Sequence, residues 1–152
     1  MFDREASGSL SDAYTEEYIV KGDSFLEVGE ASTKLKSSLK MLGLPSNVTR
    51  RASVVVYEAE MNVMIHAGGG VIRAYIYPDY LIIEAADQGP GIPDVDLAMQ
   101  EGYSTASDRI RELGFGAGMG LPNIKRNADD LTIDTELGRG TTLRATLRFE
   151  RG

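Results

Sequence analysis

Residues 114–120 read GFGAGMG, and a run with helical spacing begins directly after them at Leu121. Because glycine has no Cβ, several backbone N–H groups can converge on one anion in such a turn. The amino terminus of the helix that follows adds partial positive charge. This stretch predicts a phosphate-binding turn that opens onto a helix, and the alternative interpretation is a glycine-rich loop that is merely flexible.

The composition narrows the classes of function. The chain has 152 residues, a net charge of −7 and no cysteine. This length fits one domain, and the acidity argues against general nucleic-acid binding, which needs a basic face. The sequence has no apolar run long enough for a membrane span and no secretion signal at its start. We therefore expect a cytoplasmic protein without a membrane segment, a disulfide framework or a thiolate metal site.

The first half of the chain predicts a strand followed by two helices. Residues 1–15 are polar with little periodicity and are expected to form a flexible N-terminal tail. Residues 16–21 have a strand pattern, and residues 25–42 place apolar side chains at helical spacing. Residues 46–67 are apolar on nearly all sides, which predicts a buried helix.

The second half predicts paired strands and further helices. The strands are expected at residues 71–77, 80–86, 131–136 and 141–150, and the helices at residues 94–101 and 121–129. Residues 102–117 are rich in Gly, Ser, Thr and charge and predict a mobile loop. The whole pattern predicts an α+β two-layer sandwich, in which helices cover one face of a mainly antiparallel sheet.

A polar stripe on the second helix carries candidate chemistry. Glu58 and Asn62 are four residues apart and so share a helix face, and His66 continues the stripe. An amide oxygen beside a carboxylate suits a hydrated Mg²⁺, which takes few protein ligands. The alternative is a helix with one polar face, and for His66 a structural role is the favoured interpretation.

An acidic turn forms a second candidate site. Asp87 ends a strand that reads as buried, and Gly89 and Gly91 follow it. A carboxylate there can accept a hydrogen bond from an exocyclic amine such as adenine N6, while the glycines let a flat base lie against the backbone. Thr141 can support that contact through water. Tight-turn preference and strand propensity are the alternative explanations.

Four segments in this order resemble the four boxes of the GHKL (Bergerat-fold) ATPases. They are residues 58–62 (EAEMN), 87–91 (DQGPG), 116–120 (GAGMG) and 138–142 (GRGTT). The superfamily includes gyrase, heat-shock chaperone ATPases, mismatch-repair ATPases and histidine kinases. The chain is most similar to the anti-sigma-factor and stressosome serine/threonine kinases, which implies a Bergerat-fold ATP-binding kinase domain over residues 16–152.

The resemblance implies a role for each matching residue. Glu58 would be the general base that activates the attacking hydroxyl, and Asn62 would hold Mg²⁺ that bridges the phosphates. Asp87 would bind the adenine amine, with Thr141 assisting. The remaining residues implied to bind ATP shape the base pocket and the phosphate lid: Gly89, Gly91, Ser104, Thr105, Gly116, Gly118, Met119 and Gly120.

One position departs from the sporulation-type anti-sigma kinases, which carry an arginine where this chain has Gly116. Stressosome switch kinases also have glycine-rich sequence there, so the departure favours that branch. The residue that contacts the γ-phosphate stays open among four basic side chains: Arg109, Arg111, Lys125 and Arg126.

The resemblance implies an ATP-dependent serine/threonine protein kinase that phosphorylates a STAS-domain antagonist in transcriptional or stress regulation. The alternative is an ATP-gated binding module that sequesters a sigma factor with little turnover. A detached ATP-binding domain of a sensor histidine kinase is less favoured, because His66 lies in the helix expected to line the ATP site. A homodimer is expected by analogy alone.

Overall fold

The computed structural model describes residues 13–22, 27–100 and 120–150. In chain order the elements of these ranges are β1 (Tyr14–Lys21), α1 (Glu30–Met41), α2 (Ser46–Ala67), β2 (Gly69–Ile76), β3 (Tyr80–Asp87), α3 (Val95–Ala98), α4 (Gly120–Asn127), β4 (Asp130–Glu136) and β5 (Gly140–Arg148). Within the same ranges, every helix is too short or too polar to cross a membrane.

The strands form one five-stranded antiparallel sheet in the order β1-β2-β3-β5-β4. Its central row places Ala74, Ile83 and Ala145 side by side on three neighbouring strands, all fully buried. Since side chains alternate along a strand, the residues two positions away also point to this face. One face of the sheet is therefore apolar throughout its centre.

Helices cover that apolar face. α2 lies over β2, β3 and β5, and both α1 and α4 pack against α2. The opposite face carries ion pairs instead: Arg73 Nε lies 2.7 Å from Glu17 Oε2, and Arg144 Nε lies 2.7 Å from Glu84 Oε2. The predicted α+β sandwich with helices on one face is confirmed.

Two helices, α1 and α3, are clearly shorter than predicted, and α4 ends at Asn127 rather than residue 129. α1 begins at Glu30 rather than residue 25, because Gly29 has a left-handed φ of 93° that a right-handed helix cannot include. Residues 23–26 lie outside the described ranges. α3 covers Val95–Ala98 only, and Asp94 precedes it as an N-cap whose Oδ1 accepts a hydrogen bond from Leu97 N at 3.0 Å.

The first strand also begins earlier than predicted. β1 starts at Tyr14, so Tyr14 and Thr15 belong to the sheet rather than to a flexible tail. Tyr14 pairs with Ile76 of β2, and its hydroxyl donates to Glu16 Oε2 at 2.8 Å. An aromatic residue with a cross-strand partner favours strand structure even where the surrounding sequence is polar. The extent of the tail and the domain boundaries stay predictions.

Candidate ATP-binding site

One side of α2 carries three polar residues that all face α4. Arg51, Glu58 and Asn62 are spaced by seven and four residues, which places them on the same side of a helix with 3.6 residues per turn. Glu58 and Asn62 are half-buried, whereas Arg51 is almost completely buried. The predicted stripe of Glu58 and Asn62 is therefore present, and Arg51 extends it toward the start of α2.

α4 runs antiparallel to α2 along this stripe. A Cβ at Gly120 would lie 2.9 Å from Asn62 Oδ1, so the first residue of α4 needs a glycine to approach the amide. Asn123 Nδ2 donates to Glu58 Oε2 at 2.9 Å. At the other end, Arg51 Nε donates to the carbonyl oxygen of Asn127 at 3.1 Å.

Arg51 anchors the carboxyl end of α4 to the sheet. Its Nη2 donates to Asp129 Oδ2 at 2.8 Å, and its Nη1 donates to the carbonyl oxygen of Arg148 at 3.2 Å. The Arg51 side chain is 2% exposed and that of Asp129 is 11% exposed. A charge buried this deeply must be paired to be tolerated. The ion pair thus fixes how α4 sits on α2.

Asn123 contacts the predicted general base Glu58, and the sequence interpretation did not single it out. Arg126 Nη1 donates to Asn123 Oδ1 at 2.6 Å, so Asn123 lies between a guanidinium and the Glu58 carboxylate. The only local signal is the spacing of three residues between Asn123 and Arg126, which places both on one side of a helix. That spacing could not show that the partner of Asn123 lies 65 residues earlier in the chain.

The acidic turn is built where β3 ends beside the start of β5. Asp87 pairs with Thr141 in the strand register, and Asp87 Oδ1 accepts hydrogen bonds from Gly89 N at 2.9 Å and Thr141 N at 3.3 Å. A Cβ at Gly140 would lie 2.1 Å from the carbonyl oxygen of Asp87, so only glycine fits there. Asp87 and Thr141 are therefore neighbours, as the sequence predicted.

Hydroxyl groups extend this turn. Thr141 Oγ1 lies 2.9 Å from Thr135 Oγ1, and Thr135 Oγ1 accepts a hydrogen bond from Ile92 N at 2.9 Å. A Cβ at Gly91 would lie 2.7 Å from the carbonyl oxygen of Glu136, which explains the glycine and its φ of 84°. The sequence interpretation did not single out Thr135, which ties the segment after Gly91 to β4.

The acidic turn and the polar stripe meet at the end of α2. A Cβ at Gly89 would lie 2.6 Å from Ala67 Cβ, in the last residue of α2. Loss of solvation lowers the pKa of the His66 imidazole, because neighbouring protein atoms displace water from the ring. The negative charge of Asp87 opposes this shift in part. Asp87 is therefore close to the last turn of α2, about one turn beyond Asn62.

Several predicted site residues lie outside the described residues. They are Ser104, Thr105, Gly116, Gly118 and Met119, together with the basic residues Arg109 and Arg111. Of the glycines in the predicted phosphate-binding turn, Gly120 alone belongs to the described ranges, as the first residue of α4. In those ranges no group of three His, Cys, Asp or Glu side chains could hold a metal ion.

The chain belongs to the histidine kinase-, DNA gyrase B- and HSP90-like ATPase family, which it matches over residues 47–151. It is 34% identical to the serine/threonine-protein kinase RsbT of Bacillus subtilis, over 70% of this chain and 77% of RsbT. It is 38% identical to an anti-sigma F factor of Caldanaerobacter subterraneus, over 60% of this chain and 64% of that protein. The predicted superfamily and its anti-sigma kinase branch are confirmed.

The fold also resembles a solved structure, the SiaB–SiaC complex from Pseudomonas aeruginosa. The matched chain has a TM-score of 0.63, with 94% of this chain and 95% of that chain covered. The identity is 14%, so this likeness concerns the fold alone.

Proposed function

We propose that this chain is an ATP-dependent serine/threonine protein kinase of the anti-sigma-factor type. The observation that carries the proposal is the pairing of Glu58 and Asn62 with the amino-terminal half of α4. The stripe offers a carboxylate and an amide beside a helix amino terminus, where partial positive charge favours phosphate. The names of the relatives, a serine/threonine-protein kinase and an anti-sigma F factor, support the same class.

Asp87 is proposed to bind the adenine amine. Its Oδ1 is held by two backbone N–H groups, and among the described residues no donor is bonded to Oδ2. A carboxylate can accept several hydrogen bonds, so Oδ2 keeps its capacity for an exocyclic amine. Gly89 has no side chain next to the Asp87 carboxylate, where a Cβ would lie 3.3 Å from Oδ1.

Asn62 fits the proposed Mg²⁺ that accompanies ATP. In the part of the chain that the structure describes, its Oδ1 accepts no hydrogen bond, so this oxygen keeps its capacity to bind a cation. Mg²⁺ keeps several waters and takes one or two protein oxygens plus phosphates, so a single amide oxygen suffices. When bound, the ion would neutralise phosphate charge.

Glu58 is proposed as the general base. The hydroxyl oxygen of a partner serine or threonine would form a bond to the γ-phosphorus while the bond from that phosphorus to the bridging oxygen of ADP breaks. The hydroxyl proton would pass to Glu58 Oε1, because Oε2 already accepts from Asn123. Since such transfers depend mainly on positioning and electrostatics, few catalytic side chains are needed.

The proposed protein partner is a STAS-domain antagonist or a sigma factor, and the proposed assembly is a homodimer. A second function, an ATP-gated binding module with little turnover, is favoured by the name anti-sigma F factor of one relative. Partner binding that requires nucleotide but is unaffected by Glu58→Ala, without any phosphorylated product, would favour the binding module over the kinase.

The test is incubation of the purified chain with Mg-ATP and a STAS-domain protein from the same genome, followed by detection of phosphoserine or phosphothreonine. We expect phosphorylation by the wild type and a loss of about 10²–10⁴-fold in Glu58→Gln, the typical contribution of general-base catalysis. Glu60→Gln is the matched control. It makes the same chemical change two residues further along α2, but Glu60 Oε1 accepts from Gly29 N at 3.2 Å, on the side facing α1. A wild type no more active than Glu58→Gln would reject the kinase.

A further inference from the structure

We propose that Asn123 is a positioning residue for Glu58, and that Arg126 fixes the orientation of the Asn123 amide. The proposal rests on the kinase function proposed above and adds two residues to its machinery. It depends on a chain of two hydrogen bonds, from Arg126 Nη1 to Asn123 Oδ1 at 2.6 Å and from Asn123 Nδ2 to Glu58 Oε2 at 2.9 Å.

The two neighbours of Asn123 together specify one orientation of its amide. A guanidinium can only donate hydrogen bonds, so the amide oxygen must face Arg126. An ionised carboxylate can only accept, so the amide nitrogen must face Glu58. A flipped amide would lose both hydrogen bonds, which means that Arg126 acts on Glu58 through Asn123.

The backbone that carries Asn123 is held in place independently of Glu58. Asn127 Nδ2 donates to the carbonyl oxygen of Asn123 at 2.8 Å, and the carbonyl of Asn127 accepts from the buried Arg51. Asn123 therefore presents its donor from a fixed helix, whereas the Glu58 side chain has several rotatable torsions. The hydrogen bond restricts those torsions and holds Oε2.

Because Glu58 Oε2 accepts the hydrogen bond from Asn123, only Oε1 is left to accept the proton of the partner hydroxyl. Among the described residues, Glu58 Oε1 accepts no hydrogen bond. With the carboxylate fixed, the lone pairs of Oε1 have a defined direction toward an incoming hydroxyl. A general base misplaced by about 1 Å loses on the order of 10²-fold in rate, so the contact from Asn123 has a measurable consequence for transfer but not for ATP affinity.

The experiment measures transfer at saturating Mg-ATP, with the STAS-domain protein that the wild type phosphorylates as substrate, and binding of a fluorescent ADP analogue. We expect Asn123→Leu to lower kcat about 10–100-fold, with nucleotide affinity within about twofold of the wild type. Arg126→Met should lower kcat less than Asn123→Leu, because Asn123 stays present but is free to turn. Arg126→Lys should recover part of that loss, since an ammonium also donates to Oδ1. Added to Asn123→Leu, Arg126→Met should lower kcat no further, whereas a direct γ-phosphate contact by Arg126 would produce a further loss.

A double-variant cycle separates positioning from a general structural effect. If Asn123 acts through Glu58, adding Asn123→Leu to Glu58→Gln should reduce kcat no further. A further loss in the double variant, or an Asn123→Leu variant as fast as the wild type while Glu58→Gln is inactive, would overturn the inference. Failure of the kinase function itself is distinct, because the wild type and Glu58→Gln would then be equally inactive.

Discussion

The two ends of the proposed ATP site are built by different means. At the acidic turn, Asp87 and Thr141 are held by adjacent strands and by backbone N–H groups that donate to the Asp87 carboxylate. At the polar stripe, Glu58 and Asn62 meet α4 through side chains and one close glycine contact, across 65 residues of sequence in the case of Asn123 and Glu58. One end is formed by the sheet, and the other depends on how two helices pack.

Because of this difference, we expect the acidic turn to determine nucleotide affinity and the polar stripe to determine catalysis. The acidic turn is part of a sheet whose register fixes it, so its geometry should survive most side-chain changes. The contacts between the polar stripe and α4 form only while α4 stays packed on α2, and Arg51 holds one end of α4 in that position. We therefore expect changes at the helix packing to alter stability and transfer strongly, and loss of the Asp87 carboxylate to alter mainly nucleotide affinity.

The largest effect should come from Arg51→Leu. The substitution leaves Asp129 partly buried without this cation and removes the bonds to the carbonyls of Asn127 and Arg148. Breaking a buried ion pair by removing one partner costs about 3–5 kcal/mol. Urea unfolding should show that loss in the free energy of unfolding. Arg50→Leu, at the exposed neighbouring position, should change it by less than about 0.5 kcal/mol, and an equal loss in both variants would contradict the anchoring role.

A smaller effect is expected at the acidic turn from Asp87→Asn. The asparagine oxygen can still accept from Gly89 and Thr141, so the turn should keep its shape, but the charge and the second acceptor oxygen are lost. A hydrogen bond to a charged group contributes about 1.5–3 kcal/mol, so the Kd of Mg-ADP should rise roughly 10–100-fold.

Calorimetry or the thermal shift caused by Mg-ADP measures this change, since binding stabilises the folded state by mass action. Asp134→Asn, at an exposed position of β4, makes the same substitution away from the turn and should bind like the wild type. An unchanged Mg-ADP shift in Asp87→Asn would remove the proposed adenine contact and with it the assignment of this end.

The sequence predicted one of these two ends better than the other. The resemblance associated Thr141 with Asp87, and the register of β3 and β5 makes these two residues neighbours. The stripe of Glu58 and Asn62 could also be predicted, because helical spacing is local. The partner of that stripe could not, because a contact between helices far apart in sequence leaves no local pattern around Asn123.

The burial of Arg51 could not be predicted from the sequence either. An arginine in an apolar helix is usually interpreted as a solvent-exposed position, because charged residues are almost never buried unless they are paired. The structure buries it because three acceptors, from Asn127, Asp129 and Arg148, converge at the end of α4. None of these acceptors is recognisable until the tertiary packing is known.

Thr135→Val tests whether the geometry of the acidic turn is set by the sheet or by its side chains, and we expect it to have a small effect. In Thr135→Val, Ile92 N and the Thr141 hydroxyl lose their partner, which costs about 1 kcal/mol of stability. Because Asp87 keeps its backbone donors, the Kd of Mg-ADP should change less than about threefold. The control is Thr132→Val, an exposed position on the same strand. A tenfold loss of affinity in Thr135→Val would mean that the hydroxyl pair, and not the sheet, supports the turn.

The smallest effect concerns the opposite side of α2, which faces α1 and should take no part in either end of the site. Glu60 is buried, and this burial raises its pKa above the ordinary 4.5, although backbone N–H groups at the start of α1, from Gly29, Ala31 and Ser32, oppose the shift. The folded state then holds the Glu60 proton more tightly than the unfolded state does. Its contribution to stability is fully present below the ordinary pKa and is lost as the pH rises through the raised value.

The free energy of unfolding of the wild type, minus that of Glu60→Gln, should therefore fall as the pH rises from below 4.5 toward neutrality. Glutamine cannot titrate, and the titrations of other groups cancel in the difference. Nucleotide affinity and transfer should be the same in both proteins at every pH, because Glu60 contacts α1 rather than α4. A pH-dependent difference in transfer would show that the two sides of α2 are coupled, and the separation between helix packing and site chemistry would then have to be abandoned.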